Sequence, residues 1–137
     1  MTNSKINFKN LEEVKNSLDS KSLKICVIGI GRIGLPTALS FAKSGLQTIG
    51  VDINEELIKK INSGVFPLKD EPGYEDIFKQ VLNEKTFSVT SKIEDAVPNC
   101  DLILLSLPTP MDEKNIPDYS ALISVAKNLS NILSPNS

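Results

Sequence analysis

The most constraining feature of the sequence is a set of three glycines that closes a short apolar stretch, KICVIGIGRIG, over residues 24–34. Residues 24–30 are rich in β-branched side chains, which is typical of a strand buried on both faces of a parallel sheet. After the last of these glycines the apolar residues recur at three- and four-residue spacing, as in a helix, until Gly45. The stretch therefore predicts a strand, a glycine turn and a helix over residues 33–44.

The glycines have the spacing G-x-G-x-x-G, and the strand and helix on either side give that spacing its meaning. Gly29 allows a tight turn out of the strand, with backbone angles that a side chain resists. Gly31 lets a diphosphate approach the main chain, and Gly34 lets the helix pack closely on the strand. The helix that begins at Ile33 would point its first N–H groups and the positive end of its dipole at the phosphates. The turn is thus a predicted dinucleotide-binding loop, with Ile33 among its contacts.

An acidic residue completes the pattern at the end of the second predicted strand, residues 46–53. Asp52 follows the first glycine by about 20 residues, where a carboxylate accepts the ribose hydroxyls of an adenosine. It would repel a 2′-phosphate, so NAD is the predicted cofactor rather than NADP. The alternative is that Asp52 caps the next helix, for which Asn54 is better placed. Arg32, inside the turn, either contacts the diphosphate or points into water.

Short apolar strands alternate with helical patterns of 10–12 residues along the chain, which predicts right-handed βαβ crossovers. The predicted fold class is α/β, a doubly wound parallel sheet of the Rossmann type that is incomplete. We take residues 1–23 as an extension with a short amphipathic helix that packs on the domain or on a neighbour. The apolar face of this helix comprises Leu11, Val14 and Leu18. Residues 24–137 form the predicted Rossmann domain, without a substrate domain.

The segment LSLPTP, residues 105–110, ends the most apolar predicted strand, CDLILLSLP. In open α/β sheets ligands bind outside the carboxyl ends of the strands. Thr109, held between two prolines, is therefore a candidate to meet the ribose or nicotinamide part of the cofactor. The alternative is a strand terminator with an incidental threonine. Ser106 is a weaker candidate at the same strand end.

Composition excludes several classes of function. The net charge is −2, and the lysines are scattered with Arg32 as the only arginine, so no nucleic-acid partner is expected. No apolar stretch reaches the ~20 residues of a membrane span, so no membrane partner is expected either. Cys26 and Cys100 lie in apolar runs, which predicts buried free thiols and a reducing, cytoplasmic location. No metal site is predicted.

No residue of the chain is assigned to catalysis. Four carboxylates near residue 70 are closely spaced, but acids before and in the first turn of a helix favour its dipole, and we assign them that role. They are Asp70, Glu71, Glu75 and Asp76. The chain also contains no histidine, so any step that needs an imidazole must take it from elsewhere.

Five motifs, in order, resemble the UDP-glucose/GDP-mannose dehydrogenase family, and most closely its UDP-N-acetylmannosamine and related UDP-N-acetylhexosamine branch. They are GIGRIGLPTALSFAKSG, IGVDIN, INSG, EPGYEDIF and LPTP, and they extend over about residues 24–133. The resemblance implies NAD-linked oxidation of the C6 alcohol of a UDP-sugar to a carboxylate in two steps. It matches the three glycines to the diphosphate loop, Asp52 to the adenosine-ribose acid and Thr109 to a cofactor-contacting threonine.

The chain departs from the family pattern in two places and in extent. Arg32 replaces an aromatic residue, and the loop before Glu-Pro-Gly is slightly longer than usual. The family's catalytic cysteine, lysine, asparagine, aspartate and glutamate lie beyond the matched segment, and neither Cys26 nor Cys100 occupies the position of the nucleophile. The resemblance therefore implies the cofactor part of a larger, homodimeric enzyme, inactive alone. A non-catalytic NAD-binding regulatory module, a UDP-glucose 6-dehydrogenase fragment and another hydride-transfer family with this fold stay open.

Overall fold

A computed structural model of the protein describes residues 5–133, which form one parallel sheet flanked by helices. The sheet has four strands in the order β3-β2-β1-β4. Their bounds are β1 Ile25–Ile28, β2 Thr48–Val51, β3 Phe87–Thr90 and β4 Leu102–Leu105. Each neighbouring pair is parallel, so the chain crosses back to the amino ends of the strands before it begins each new strand. The predicted α/β class with a parallel, Rossmann-type sheet is confirmed.

Helices cover both faces of the sheet, because every crossover between parallel strands carries one. In the described part of the chain they are α1 Leu11–Asp19, α2 Gly34–Lys43, α3 Glu55–Asn62, α4 Tyr74–Asn83, α5 Ile93–Ala96 and α6 Ser120–Ile132. A 3₁₀ turn, Val97–Asn99, follows α5 directly. The predicted helices are thus all present, with ends that differ from the predicted ones by a few residues.

Strand β1 has side chains in two separate hydrophobic clusters. Ile25 and Val27 pack in the cluster that contains the buried faces of α2, α3 and α4. Cys26 and Ile28 pack in the cluster that contains α5 and the buried residues of α6. Successive side chains of a strand point to opposite faces of the sheet, so an uninterrupted apolar run fits a strand covered on both sides. The near-complete burial of β1 confirms this interpretation of residues 24–30.

The carboxyl ends of β2, β1 and β4 meet at one edge of the sheet. In the parallel register Ile28 lies opposite Val51 on one side and opposite Leu105 on the other. The chain leaves β1 toward β2 and β3 and later returns to the far side of β1 as β4. The crevice between these two directions is the switch point at which open α/β sheets bind their ligands.

The N-terminal helix α1 forms where it was predicted, and part of its predicted apolar face is exposed. Its start is capped as a helix should be, with Asn10 Oδ1 accepting from Glu13 N at 3.3 Å. Leu11 is 82% exposed and Leu18 40% exposed, so these two side chains do not pack on the domain, and the predicted alternative of packing on a neighbour stays a prediction. Ser17 is the buried residue of α1, and its carbonyl accepts from the N–H groups of Ser22 and Leu23. Helical spacing indicates which side chains share a face, but not whether that face finds a partner.

Candidate dinucleotide-binding site

A cavity of about 500 Å³ opens at the carboxyl edge of the sheet, at the switch point between β1 and β4. The glycine turn, the end of β2, the start of α5, the end of β4 and one face of α6 line it. Among the lining residues are Gly29, Gly31, Arg32, Ile33, Gly34, Asp52, Ile53, Ile93, Ser106, Pro108, Ala121, Ser124 and Asn128. Six of the seven residues predicted as cofactor contacts therefore surround one cavity, and Thr109 is the exception.

Two of the glycines are required by the protein's own packing. Gly29 has a φ of +92°, in the left-handed region, and a Cβ there would overlap the carbonyl oxygen of Ser106. A Cβ on Gly34 would overlap the carbonyl oxygen of Gly29 itself. The backbone of the glycine turn therefore packs directly against the start of α2 on one side and the end of β4 on the other. The contact between Gly29 and Ser106 joins residues far apart in the chain, so the spacing of the glycines alone could not predict it.

Gly31 differs from the other two glycines. A Cβ built on it would meet no atom within 4 Å, so the fold does not need a glycine at this position. The residue is exposed and lines the cavity. The N-cap of α2, Ile33, makes no capping hydrogen bond through its side chain. An open approach to bare main chain beside a helix N-terminus fits a bound diphosphate.

Asp52 is fixed in the cavity wall by two backbone groups. Its Oδ2 accepts from Ile30 N at 3.2 Å, in the glycine turn, and its Oδ1 accepts from Asn54 N at 3.0 Å. The side chain of Asn54, and not that of Asp52, caps α3 by accepting from Leu57 N. The alternative of a helix cap is therefore wrong for Asp52. Each carboxylate oxygen has further lone pairs, which leaves the group able to accept hydroxyl donors from the cavity.

Arg32 contacts acidic residues of the loop over 65–73, between α3 and α4. Its Nη1 lies 2.9 Å from Asp70 Oδ2 and 3.7 Å from Glu71 Oε1. These two carboxylates are absent from the lining of the cavity. The sequence left open a contact to diphosphate or to water, and in this structure the guanidinium is instead paired with a second loop.

The ion pair affects the titration of its acid. The hydrogen bond from Arg32, together with one from its own backbone N–H, holds the pKa of Asp70 below its usual value. A folded-state pKa below the unfolded one means that the pair favours folding above the unfolded pKa. That contribution is lost as the pH falls through the folded pKa.

Replacing Arg32 with leucine is therefore expected to raise the pKa of Asp70 toward its usual range, because the main stabiliser of the carboxylate is removed. The measurement is a pH titration of the Asp70 side-chain carboxyl carbon by NMR. Arg32→Lys, which retains the charge, is the matched control and should keep the pKa lowered. An unchanged Asp70 titration in Arg32→Leu would contradict the assigned cause.

Of the two candidates at the end of β4, Ser106 lines the cavity and Thr109 does not. Thr109 is exposed and, among the described residues, is outside the cavity lining, whereas Ser106 and Pro108 are part of it. Cys26 and Cys100 are free thiols buried in the cluster under α5 and α6, which confirms their predicted burial. Interaction with the neighbouring Cys100 thiol and burial raise the pKa of Cys26. Neither thiol reaches the cavity.

Sequence reasoning missed the contribution of α6. Ala121, Ser124 and Asn128 are three and four positions apart, so they share one face of this helix, and that face lines the cavity. The helical spacing of these three residues can be read from the sequence, but nothing local shows which face of α6 lies over the end of β4.

Within residues 5–133 there is no cluster of three or more potential metal ligands, and no helix is long and apolar enough to cross a membrane.

Comparison with known families agrees with this geometry. Residues 23–137 match the NAD-binding domain of the UDP-glucose/GDP-mannose dehydrogenase family. The chain belongs to this family. The resemblance of its motifs to these dehydrogenases is thereby confirmed, and NAD is the cofactor of this domain in the UDP-glucose/GDP-mannose dehydrogenases.

Individual relatives place the chain within the UDP-glucose/GDP-mannose dehydrogenases. It is 43% identical over 90 residues to UDP-N-acetyl-D-mannosamine dehydrogenase of Methanococcus vannielii, covering 66% of this chain and 20% of that protein. It is 30% identical over 107 residues to UDP-glucose 6-dehydrogenase of Pseudomonas aeruginosa, covering 78% and 23%. The solved structure of UDP-D-ManNAc dehydrogenase from Pyrococcus horikoshii is 36% identical with a TM-score of 0.76, covering 84% and 27%. The chain thus spans about a fifth to a quarter of these relatives.

Proposed function

We propose that the cavity binds NAD and that the chain is the cofactor-binding part of a UDP-sugar 6-dehydrogenase. The substrate we favour is UDP-N-acetylmannosamine or a related UDP-N-acetylhexosamine, oxidised at C6 to the uronic acid with two NAD. The higher identity to the mannosamine enzyme of Methanococcus vannielii, 43% against 30% for the UDP-glucose enzyme, supports this choice over UDP-glucose. The observation that carries the proposal is the bare main chain of Gly31 facing the same cavity as the Asp52 carboxylate.

The proposed roles follow from the geometry. The diphosphate would lie against Gly31 and the N-terminus of α2, where a bound anion meets N–H groups and the positive end of the helix dipole. Asp52, oriented by the N–H groups of Ile30 and Asn54, would accept the ribose hydroxyls. Ile53 is 89% exposed although it is apolar, and it would provide a nonpolar surface for the adenine end.

Three further parts of the proposal concern Thr109, the domain boundaries, and the oligomeric state and location of the enzyme. We assign Thr109 to the nicotinamide side, because it directly follows Pro108 of the cavity wall. We divide the chain into an extension, residues 1–23, and the cofactor domain, residues 24–137, in agreement with a family match that begins at residue 23. We also propose a homodimeric enzyme in the cytoplasm, where the two free thiols would stay reduced.

When bound, NAD supplies a hydride acceptor, and the residues described here would hold and orient it. The oxidation of an aldehyde to an acid also needs a thiolate that forms a covalent intermediate. Cys26 and Cys100 are buried beneath α5 and α6 and outside the cavity, so they do not fit that task. We therefore assign the thiolate and the sugar site to parts of the enzyme beyond this chain.

The chain alone is expected to bind NAD but to produce no NADH with UDP-N-acetylmannosamine or UDP-glucose, because no thiol lines the cavity. Calorimetry measures the binding, and absorbance of NADH measures turnover. A longer enzyme that carries this chain is the positive control, and it should oxidise one of the two sugars. NADH production by the 137-residue chain would contradict the absence of catalytic residues, whereas binding without turnover in the longer enzyme would favour a regulatory module.

Replacing Gly31 with valine tests the proposed diphosphate position. We expect NAD to bind at least about tenfold more weakly, because the branched side chain occupies the space at the main chain that the diphosphate needs. The melting temperature should stay close to that of the wild type, since a Cβ at this position meets nothing within 4 Å. Gly31→Ala is the graded control, with a smaller loss expected. Undiminished NAD affinity in Gly31→Val would exclude this position for the diphosphate.

A further inference from the structure

Arg32 lies in the wall of the cavity and is also paired with the acidic loop over 65–73. It is the only arginine of the chain and lies between the second and third glycines of the turn, in the wall of the cavity. Its Nη1 nevertheless points to the carboxylates of Asp70 and Glu71, at 2.9 and 3.7 Å, which are outside the cavity. One cation is therefore placed next to the proposed diphosphate position while it is paired with two anions of the chain itself.

The pairing is of a kind that another anion can replace. The side chains of Arg32 and Asp70 are 67% and 63% exposed, and exposed ion pairs are weak because water screens both charges. A guanidinium has five donors, and both short distances involve the same nitrogen, so other donors are available to a phosphate.

We propose that Asp70 and Glu71 compete with the cofactor's diphosphate for Arg32, so that the loop over 65–73 lowers the affinity for NAD. The inference rests on the proposed NAD site and adds a determinant of its affinity. Because coupling between two binding events is reciprocal, a bound diphosphate must weaken the hold of Arg32 on this loop by the same factor. If the ion pair only stabilised the loop or oriented Arg32 toward the cofactor, removing the acids would leave NAD binding unchanged or weaken it.

The test is the double variant Asp70→Asn/Glu71→Gln in the full 137-residue chain, titrated with NAD by calorimetry. We expect NAD to bind about three- to tenfold more tightly, the range for the loss of two exposed charge contacts. The gain should shrink at high salt because the competing charges are screened. Adenosine, which has no phosphate, should bind the variant and the wild type equally.

Two matched controls separate competition from a general change in charge. Glu75→Gln/Asp76→Asn removes two exposed carboxylates from the adjoining first turn of α4, where Glu75 pairs with Lys79 and not with Arg32, and NAD affinity should not change. In an Arg32→Leu background the gain from Asp70→Asn/Glu71→Gln should disappear. Circular dichroism and melting temperatures check that each variant is folded.

Several results would overturn the inference. They are unchanged or weaker NAD binding in Asp70→Asn/Glu71→Gln, an equal gain in the control pair, and a gain that persists in Arg32→Leu. In these cases the wild type still binds NAD, so the proposed site stands and only the competition fails. Absence of NAD binding in the wild type and in every variant would instead overturn the proposed site and the competition with it.

Discussion

Replacing Gly34 with alanine is expected to destabilise the folded chain by about 4 kcal/mol or more, which is a severe effect for one methyl group. The added Cβ would overlap the carbonyl oxygen of Gly29. This atom is backbone and cannot rotate away, and Gly29 is itself packed against the Ser106 carbonyl of the neighbouring strand end. Alanine is favoured over glycine in a helix by about 1 kcal/mol, so the steric overlap dominates.

The measurement is urea unfolding of the 137-residue chain followed by circular dichroism. Gly31→Ala is the matched control, because the same methyl group three residues earlier meets nothing within 4 Å. It should unfold at nearly the same urea concentration as the wild type. A Gly34→Ala chain as stable as the wild type would mean that the start of α2 can move away from the glycine turn, and that the close packing is not required for folding.

The substitutions at Gly34 and Gly31 distinguish two reasons for a glycine in the G-x-G-x-x-G pattern, close packing of the backbone and access for a cofactor. Gly29 and Gly34 are needed by the fold, because backbone lies where their side chains would be. Gly31 is not needed by the fold, because a Cβ there would meet no atom within 4 Å, and the proposed diphosphate gives its lack of a side chain a purpose. The spacing in the sequence predicted a separate role for each glycine. The atoms around Gly29 and Gly34 agree with the predicted turn and close packing, whereas the diphosphate role of Gly31 stays a prediction.

Much of the fold could be predicted because its determinants are local. An uninterrupted apolar run indicated β1, and Asn54 was the expected cap of α3, as the structure confirms. Parallel strands joined by helices then leave few arrangements, and their carboxyl ends meet at one edge. Gly29 through Gly34 and Asp52 follow β1 and β2 directly, so their convergence on one cavity was also predictable.

The parts that could not be predicted depend on contacts between distant segments. Arg32 and Asp70 are 38 residues apart, and the loop over 65–73 that carries Asp70 has no periodic pattern from which its course could be derived. The face of α6 over the cavity, and the exposure of Leu11 on α1, depend in the same way on where whole helices settle. Thr109 was predicted from its position after β4, but the segment that follows β4 lines the cavity only as far as Pro108.

Replacing Asp52 with alanine is expected to weaken NAD binding by about 2–4 kcal/mol, on the order of 30- to 900-fold in the dissociation constant. The variant loses the charge-assisted hydrogen bonds proposed for the ribose hydroxyls. It also leaves Ile30 N and Asn54 N without their acceptor, so the glycine turn loses one of its ties to the end of β2, although Gly29 N still donates to Val51 O at 2.7 Å. Both effects act on the same cavity and in the same direction.

Calorimetric titration with NAD and with NADP measures this effect and its cause. Asp52→Asn should lose less affinity than Asp52→Ala, because one oxygen still accepts while the negative charge is gone. In both variants the preference for NAD over NADP should narrow, since the carboxylate no longer repels a 2′-phosphate. A preference that stays at the wild-type value would mean that the ribose lies elsewhere.

A second carboxylate at the opposite edge of the sheet provides the control. Asp101 Oδ2 accepts from Lys24 N at 2.9 Å before β1 begins, so it also ties a strand end through backbone, but far from the cavity. Asp101→Ala should reduce stability and leave the NAD dissociation constant unchanged. If Asp101→Ala weakened NAD binding as much as Asp52→Ala, the loss would come from loosened strand ends in general. An effect confined to Asp52 would instead come from the carboxylate that faces the cofactor.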